Sequence, residues 1–243
     1  MANAPVRPDP FRGEMERALA AHQAGRLAEA EAAYRTILSR APGYAPALHF
    51  LGVVLHQTGR TDEAAAAIGR AVAADPGNGM AHANLARIEL ARGNAQAAEA
   101  GFRRAIAASP GDATAHCDLG SLLSELGRRD EAVACYGRAL EIDPNNPTIR
   151  FNLGTALHAQ GRFEDALAQL DAALARAPAL IEAHLNRAVC LQELGRVDEA
   201  FAAYRSALAL DPRARRLVLG NIAKAPSGRL WLDPAKMRDA LGF

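Results

Sequence analysis

The sequence predicts an all-α solenoid built from six copies of one two-helix unit. Six prolines fall 34 residues apart, at Pro42, Pro76, Pro110, Pro144, Pro178 and Pro212. Six glycines keep the same spacing, at Gly25, Gly59, Gly93, Gly127, Gly161 and Gly195. Self-similarity at this period is the signature of a repeated helix-turn-helix unit. We therefore expect six units, at residues 11–44, 45–78, 79–112, 113–146, 147–180 and 181–214.

The fourth unit, residues 113–146, illustrates the expected helices. Apolar residues recur with helical periodicity and stop at Gly127, a residue type that ends helices in a left-handed cap. A second helix follows, with Asp130 and Glu131 in its first turn, where carboxylates interact favourably with the helix dipole. Pro144 ends the unit, because proline disfavours a helical conformation for the residue before it and cannot continue the hydrogen-bond ladder.

Two rows of packing residues recur in the second helix of every unit. One row is an alanine, which is small enough to let two helices approach closely: Ala30, Ala64, Ala98, Ala132, Ala166 and Ala200. The other is a bulky residue four positions later, on the same helix face: Tyr34, Ile68, Phe102, Tyr136, Leu170 and Tyr204. We interpret both rows as scaffold that fills the space between helices rather than as a functional site.

Residues 11–214 resemble the tetratricopeptide repeat (TPR) family. The dipeptides Leu51-Gly52, Leu119-Gly120 and Leu153-Gly154 match its pattern, as do the glycine, alanine, bulky residue and proline that follow in each unit. The first and last units depart from the pattern, with Arg17-Ala18 and Arg187-Ala188 in place of Leu-Gly. Atypical terminal repeats are expected because each lacks one neighbour. The resemblance implies a right-handed superhelix with the first helices on its concave side.

Composition and charge argue against several classes of function. The formal net charge is +1, so no global field attracts nucleic acid or an anionic membrane. Residues 1–10 hold three prolines and no apolar run, which predicts a short disordered lead rather than a signal peptide. No stretch is long and apolar enough to span a membrane. We expect a cytoplasmic protein, and the bias towards arginine and alanine is typical of a GC-rich bacterium.

No catalytic, cofactor or metal motif is recognisable. The three cysteines are odd in number and lack C-x-x-C spacing; we expect Cys135 and Cys190 to pack internally and Cys117 to face the groove. Histidines at equal positions of adjacent units should lie about 10 Å apart, too far to share a metal ion. The H-E-x-x-H, G-x-S-x-G and glycine-rich phosphate motifs do not occur. The sequence therefore predicts a non-enzymatic binding protein without a cofactor.

The resemblance places one row of mainly polar residues on the concave face. Its members recur every 34 residues: Glu16, Phe50, Asn84, Asp118, Asn152 and Asn186. An amide carries donors and an acceptor, so it can pair with the backbone of an extended peptide. Asn84, Asn152 and Asn186 resemble the asparagine ladder of O-linked N-acetylglucosamine transferases, whereas the other three residues depart from it. The alternative is that these amides bond to neighbouring backbone or water.

Neighbouring rows complete the candidate peptide-binding groove. They add small polar groups and apolar spots, the latter expected at Phe50, Phe151 and Leu185. Chaperone-tail receptors of the family use lysine and arginine at positions that hold threonine, alanine and asparagine here, which disfavours that activity. The candidate groove residues are Phe50, Asn84, Arg87, Asp118, Ser121, Phe151, Asn152, Thr155 and Asn186.

The C-terminal residues leave the repeat pattern. Residues 215–224 are expected to form a capping helix with Leu217, Val218 and Ile222 turned inward. Residues 225–243 contain an apolar stretch and a short helix that begins near Asp233 and Pro234, an N-cap and first-turn pair. The apolar stretch either seals the end of the solenoid or docks on a neighbouring molecule to give homo-oligomers; its residues are Leu230, Trp231 and Leu232.

Two functions remain open. The first is a protein-interaction scaffold that recognises an extended segment of a partner. The second is the substrate-recognition arm of a glycosyltransferase- or sulfotransferase-type enzyme acting in trans, since the residues after the repeats are too few for a catalytic domain. Self-assembly through the C-terminal tail is a variant of the first.

Overall fold

A computed structural model describes residues 9–223, and within them the chain is helical with no β-strand. A short 3-10 helix, Pro212–Ala214, precedes the last helix, α13 (Arg215–Ala223). The remaining helices form six consecutive pairs, in agreement with the predicted all-α repeat fold. They are α1 (Arg12–Gln23) with α2 (Leu27–Arg40), α3 (Ala45–Gln57) with α4 (Thr61–Ala74), α5 (Gly79–Ala91) with α6 (Ala95–Ala108), α7 (Ala113–Glu125) with α8 (Arg129–Ile142), α9 (Pro147–Ala159) with α10 (Phe163–Leu174), and α11 (Ile181–Glu193) with α12 (Val197–Leu210).

The chain divides into two compact units, unit 1 (Met1–Ala115) and unit 2 (His116–Phe243). In unit 1, α2 packs on α3 and α4 on α5, so the second helix of one repeat contacts the first helix of the next. In unit 2, α8 packs on α9 and α10 on α11 in the same way. The first helices also touch, α3 with α5 and α9 with α11. Within each unit, first helices of neighbouring repeats therefore lie side by side.

The periodic glycines end the first helix of every repeat. All six have positive φ, between 73° and 81°, a conformation that side-chain-bearing residues rarely adopt. In the fourth repeat the Gly127 N–H donates to the Ser124 carbonyl at 3.0 Å, and the Arg128 N–H donates to the Leu123 carbonyl at 2.8 Å. These two hydrogen bonds satisfy carbonyl groups that the end of the helix would otherwise leave without partners. The sequence spacing of the glycines thus locates each turn correctly.

Close packing between the paired helices depends on a second set of glycines. A Cβ on Gly52 would lie 2.3 Å from Ile68 Cγ1, one on Gly120 would lie 2.9 Å from the Tyr136 ring, and one on Gly154 would lie 2.9 Å from Leu170 Cγ. The bulky residues they face are buried, as are the periodic alanines. The Leu-Gly pattern therefore exists because the bulky residue of the second helix needs the space.

In three of the inter-repeat turns, a side chain forms a hydrogen bond with the carbonyl group of the proline six residues before it. The His82 Nε2 atom is 3.0 Å from the Pro76 carbonyl oxygen, and His184 Nε2 is 2.9 Å from that of Pro178. Arg150 replaces histidine at this position and donates to the Pro144 carbonyl at 2.7 Å. A carbonyl only accepts, so the histidine nitrogen must carry the proton. These histidines are turn anchors, a role that their sequence spacing alone did not indicate.

The first repeat has a polar outer face. Leu48 and Leu51 are buried in the second repeat, whereas the residues 34 positions earlier are Glu14 and Arg17. Glu14 pairs with Arg40 at 2.8 Å instead of packing against another helix. Charged side chains at these positions make α1 a solvent-facing end of the stack, which gives a physical reason for the atypical first repeat.

Two sequence predictions about buried residues are wrong. Leu217 is 60% exposed, because α13 buries one narrow stripe with a spacing of four residues, which includes Val218 and Ile222 and turns Leu217 away. Cys135 is half-buried rather than buried, since it lies on the flank of α8 beside the buried Tyr136; Cys190 is buried as predicted. The predictions for residues 1–8 and for the tail, including Leu230, Trp231 and Leu232, lie outside the described residues.

Candidate functional site

The nine predicted groove residues all lie on first helices and all remain at least partly accessible to solvent. Three belong to unit 1, on α3 and α5, and we call them the unit 1 face: Phe50, Asn84 and Arg87. Six belong to unit 2, on α7, α9 and α11, and form the unit 2 face: Asp118, Ser121, Phe151, Asn152, Thr155 and Asn186. None of the helices in residues 9–223 has the length and apolar character needed to cross a membrane.

A hydrogen-bond chain sets the orientation of Asn84 on the unit 1 face. Arg87 donates to Asn84 Oδ1 at 2.7 Å, and Asn84 Nδ2 lies 2.8 Å from Nε2 of His49. A guanidinium group only donates, so the amide oxygen must face Arg87 and the amide nitrogen must face His49. His49 Nε2 is therefore the acceptor and carries no proton. His49 is only 3% exposed, and this burial lowers its pKa, in keeping with a neutral imidazole.

Phe50, the aromatic residue of the unit 1 face, packs on a buried tyrosine. The half-buried Phe50 ring stacks on the ring of Tyr34, with centroids 6.1 Å apart and an angle of 18° between the planes. It also lies 5.0 Å from the His49 ring. Tyr34 is buried, its hydroxyl has no hydrogen-bond partner among residues 9–223, and burial raises its pKa to about 12. Phe50 thus presents the outer surface of a small aromatic cluster.

On the unit 2 face, Ser121 links two repeat helices. The buried Tyr136 hydroxyl donates to Ser121 Oγ at 3.1 Å, and Ser121 in turn donates to the Cys117 carbonyl at 3.1 Å. Asn152 Nδ2 donates to the Cys117 sulfur at 3.5 Å. Burial raises the pKa of Cys117, so its thiol stays protonated and is a poor nucleophile. These groups position Ser121 and Asn152 rather than supply a reactive centre.

A second chain on the unit 2 face joins α11 to α9. Asn186 Nδ2 donates to Thr155 Oγ1 at 2.9 Å, and Thr155 donates to the Phe151 carbonyl at 2.9 Å. The asparagines therefore bond to side chains of the preceding repeat, whereas the sequence alternative to peptide binding was a bond to neighbouring backbone or water. An amide has two N–H donors and a carbonyl oxygen, so each of these bonds occupies one donor and leaves other capacity for a ligand.

One predicted apolar spot is wrong. Leu185 is only 7% exposed because it belongs to a core cluster with Leu191 and Tyr204. The half-buried Phe151 remains on the unit 2 face. Leu185 therefore supports the helix from beneath and offers a ligand almost no surface.

An open cleft of about 960 Å³ lies away from the nine predicted residues, between the turns of the fourth and fifth repeats. Much of its charge is neutralised internally: Arg128 pairs with Glu131 at 2.6 Å, and Arg162 pairs with Asp165 at 2.6 Å. In the part of the chain that the structure describes, no group of three or more His, Cys, Asp or Glu side chains is placed to hold a metal ion.

Models of one repeat family match most of the chain. Two described as "Tetratricopeptide repeat" match residues 21–88, 59–116 and 160–215, and one described as "TPR repeat" matches residues 120–161. No curated protein matches the chain.

Solved structures with the same fold are numerous. YrrB, described as a TPR protein with an unusual peptide-binding site, is 20% identical, with a TM-score of 0.67 over 77% of this chain and 96% of YrrB. The PilF protein of Pseudomonas aeruginosa is 18% identical, with a TM-score of 0.72 over 86% of this chain and 92% of PilF. A structure described as MamA MSR-1 is 26% identical, with a TM-score of 0.60 over 69% of this chain and 96% of MamA.

Proposed function

Because the chain belongs to the tetratricopeptide repeat family, we propose that it is a non-enzymatic protein-interaction scaffold that binds an extended peptide segment on its first-helix faces. The observation that carries the proposal is the set of asparagines held in fixed positions on partly exposed surface, such as Asn152 and Asn186. The similarity to YrrB, which has a peptide-binding site, supports the class of ligand.

Fixed amides suit a ligand that has a regular backbone. Asn186 is held by Thr155, so its second N–H and its carbonyl oxygen keep a constant direction. A peptide backbone alternates N–H and C=O groups, and pairing with it does not depend on side-chain identity. Because the amide positions are already ordered, binding loses less side-chain entropy than it would with mobile groups. We infer that this binding mode is similar to that of the asparagine ladder in O-linked N-acetylglucosamine transferases.

We expect the accessible rings of two phenylalanines to favour peptides that carry apolar side chains. Phe50 and Phe151 are both half-buried and lie beside polar groups on their respective faces. An apolar ligand residue that covers an aromatic ring gains roughly 25 cal/mol for each Å² of apolar surface removed from water. We therefore expect peptides with spaced apolar residues to bind more tightly than uniformly polar ones.

Alanine substitution of the three amides tests the proposal. Asn84→Ala, Asn152→Ala and Asn186→Ala are combined in one variant, and affinity is measured by calorimetry for a partner peptide identified by affinity capture from the source organism. We expect at least a tenfold loss of affinity, since three hydrogen bonds of about 0.5–1.5 kcal/mol each are removed. Unchanged affinity would refute the role of the amides. Capture of a transferase enzyme would instead support the recognition arm acting in trans.

A matched control distinguishes this effect from general loss of asparagine. Asn94 bonds to Glu89 at 2.6 Å, and Asn145 accepts from Arg176 at 2.7 Å, both outside the two faces. The double variant Asn94→Ala and Asn145→Ala should bind the peptide as the wild type does. The far-UV circular dichroism of both variants, which measures helix content, checks that they remain folded.

One observation also favours self-association as a second function. Leu217 is a large apolar side chain left exposed on α13, the helix that precedes the part of the sequence with Leu230, Trp231 and Leu232. We propose that this end of the chain contributes to a homo-oligomer. Alanine at the three tail positions should lower the mass measured in solution; an unaltered oligomer would exclude the tail as the link.

A further inference from the structure

We propose that His49 is a proton-sensitive positioning residue: its neutral imidazole holds Asn84 in one of two amide orientations, and protonation reverses that orientation on the unit 1 face. The proposal concerns a buried histidine that the peptide contacts proposed above do not use. It rests on the hydrogen-bond chain from Arg87 through Asn84 to His49. Every link in that chain has a fixed donor and a fixed acceptor.

The neutral state satisfies both contacts of the amide. Arg87 can only donate, and it meets the oxygen of Asn84 at 2.7 Å. The nitrogen of Asn84 donates to the unprotonated Nε2 of His49 at 2.8 Å. No other assignment of the amide atoms satisfies both neighbours, since the reversed amide would point its N–H groups at a guanidinium that also carries only N–H groups.

A proton on Nε2 of His49 makes these two contacts incompatible. Two donors would then face each other 2.8 Å apart, which is repulsive. Rotating Asn84 by half a turn gives His49 an acceptor, but it also turns the Asn84 oxygen away from Arg87. An unsatisfied contact costs more at the buried imidazolium of His49 than at Arg87, which is partly exposed to solvent, so proton uptake reorients Asn84 and weakens its contact with Arg87.

The groups around His49 do not favour the charged imidazole. On the α2 side, the His49 ring contacts Phe50, which stacks on Tyr34, a phenol whose pKa burial raises to about 12. On the α5 side, His49 contacts Asn84, which in turn is bonded to the cation Arg87. Burial lowers the pKa of His49 itself. Several charged side chains of unit 1 pair with one another, in Glu14–Arg40, Glu31–Arg60, Glu63–Arg60 and Asp62–Arg92, and Arg70 donates to the Pro42 carbonyl.

The consequence for binding rests on the proposed function. Asn84 would offer a peptide one arrangement of donor and acceptor above the pKa of His49 and the opposite arrangement below it. A ligand selected at neutral pH would therefore lose its contact with Asn84 on acidification. The free protein undergoes the change whether or not a ligand exists, so the two proposals can be tested separately.

Titration of the histidine ring signals by NMR tests the inference without a ligand. In the wild type we expect His49 to titrate below the ordinary value of 6.5 and the side-chain amide signals of Asn84 to shift with the same midpoint. Asn84→Asp should move the His49 midpoint above 6.5, because a carboxylate accepts from both the charged imidazole and Arg87. Arg87→Lys should keep the midpoint low, because lysine also only donates and keeps the positive charge.

The results that would overturn the inference are equally specific. A His49 midpoint at or above 6.5 in the wild type would do so, as would an Asn84→Asp midpoint equal to that of the wild type. His49→Gln supplies an acceptor that does not titrate, so the Asn84 amide signals should then be constant from pH 7.5 to 5; a persistent shift would place the titrating group elsewhere.

Discussion

Replacing Gly52 by alanine should destabilise unit 1, although the same change usually strengthens a helix. The new Cβ would lie 2.3 Å from Ile68 Cγ1 and 3.1 Å from the Ala64 carbonyl oxygen. Carbon atoms in favourable contact are about 3.5–4.0 Å apart, so the helices must separate or Ile68 must leave its rotamer. Ile68 is fully buried and its Cγ1 is close to the backbone, so it cannot simply swing aside.

The size of the effect follows from two opposing terms. Overpacking a well-filled core costs about 1–3 kcal/mol. Alanine gains about 1 kcal/mol over glycine in a helix interior. Gly69 on α4 supplies the control, since a Cβ there would meet nothing within 4 Å. Gly69→Ala receives only the favourable term, so Gly52→Ala should be about 1–3 kcal/mol less stable than Gly69→Ala.

Urea unfolding followed by circular dichroism measures this difference. The third repeat shows how the protein accommodates alanine at the equivalent position: Ala86 faces Gly101 on the partner helix, where an added Cβ would lie 2.8 Å from Ala86 Cβ. Gly52→Ala combined with Ala67→Gly copies that arrangement and should recover part of the loss. Equal unfolding midpoints for Gly52→Ala and Gly69→Ala would refute the packing argument.

The remaining predictions concern a turn, a buried hydroxyl and pH. Gly127→Ala should cost about 1–2 kcal/mol because its φ is +76°, whereas Gly137→Ala, with open space around it, should be neutral or stabilising; urea midpoints compare them. Ser121→Ala should cost about 1–3 kcal/mol by leaving the Tyr136 hydroxyl without its acceptor, and adding Tyr136→Phe should recover part of that cost; a double variant no better than the single would contradict this. Because the folded-state pKa of His49 is lowered, the unfolded chain binds more protons, so the unfolding midpoint should fall as pH drops below about 6.5, and His49→Gln should reduce that fall.

Much of the fold could be predicted because each repeat is governed by local chemistry. Gly127 requires a positive φ that other residues avoid, and Pro144 cannot continue a helix, so their spacing alone indicates where helices end. The buried alanines and bulky residues follow from helical periodicity. Leu217 was placed incorrectly because α13 has a narrower buried stripe than the repeat helices, and stripe width depends on how many neighbours a helix has.

The candidate site was predicted only as a set of exposed positions. Sequence spacing put Asn84, Asn152 and Asn186 on first helices, but it could not show that Asn84 lies between Arg87 and His49 or that Asn186 bonds to Thr155. These partners are 3 to 35 residues away in sequence, and which of them meets an amide depends on how neighbouring repeats pack. Residue type and period determined the helices, their ends and the residues that share a row. Tertiary structure alone decided which polar atoms in that row meet, because hydrogen bonds require distances and orientations that only the packed helices define.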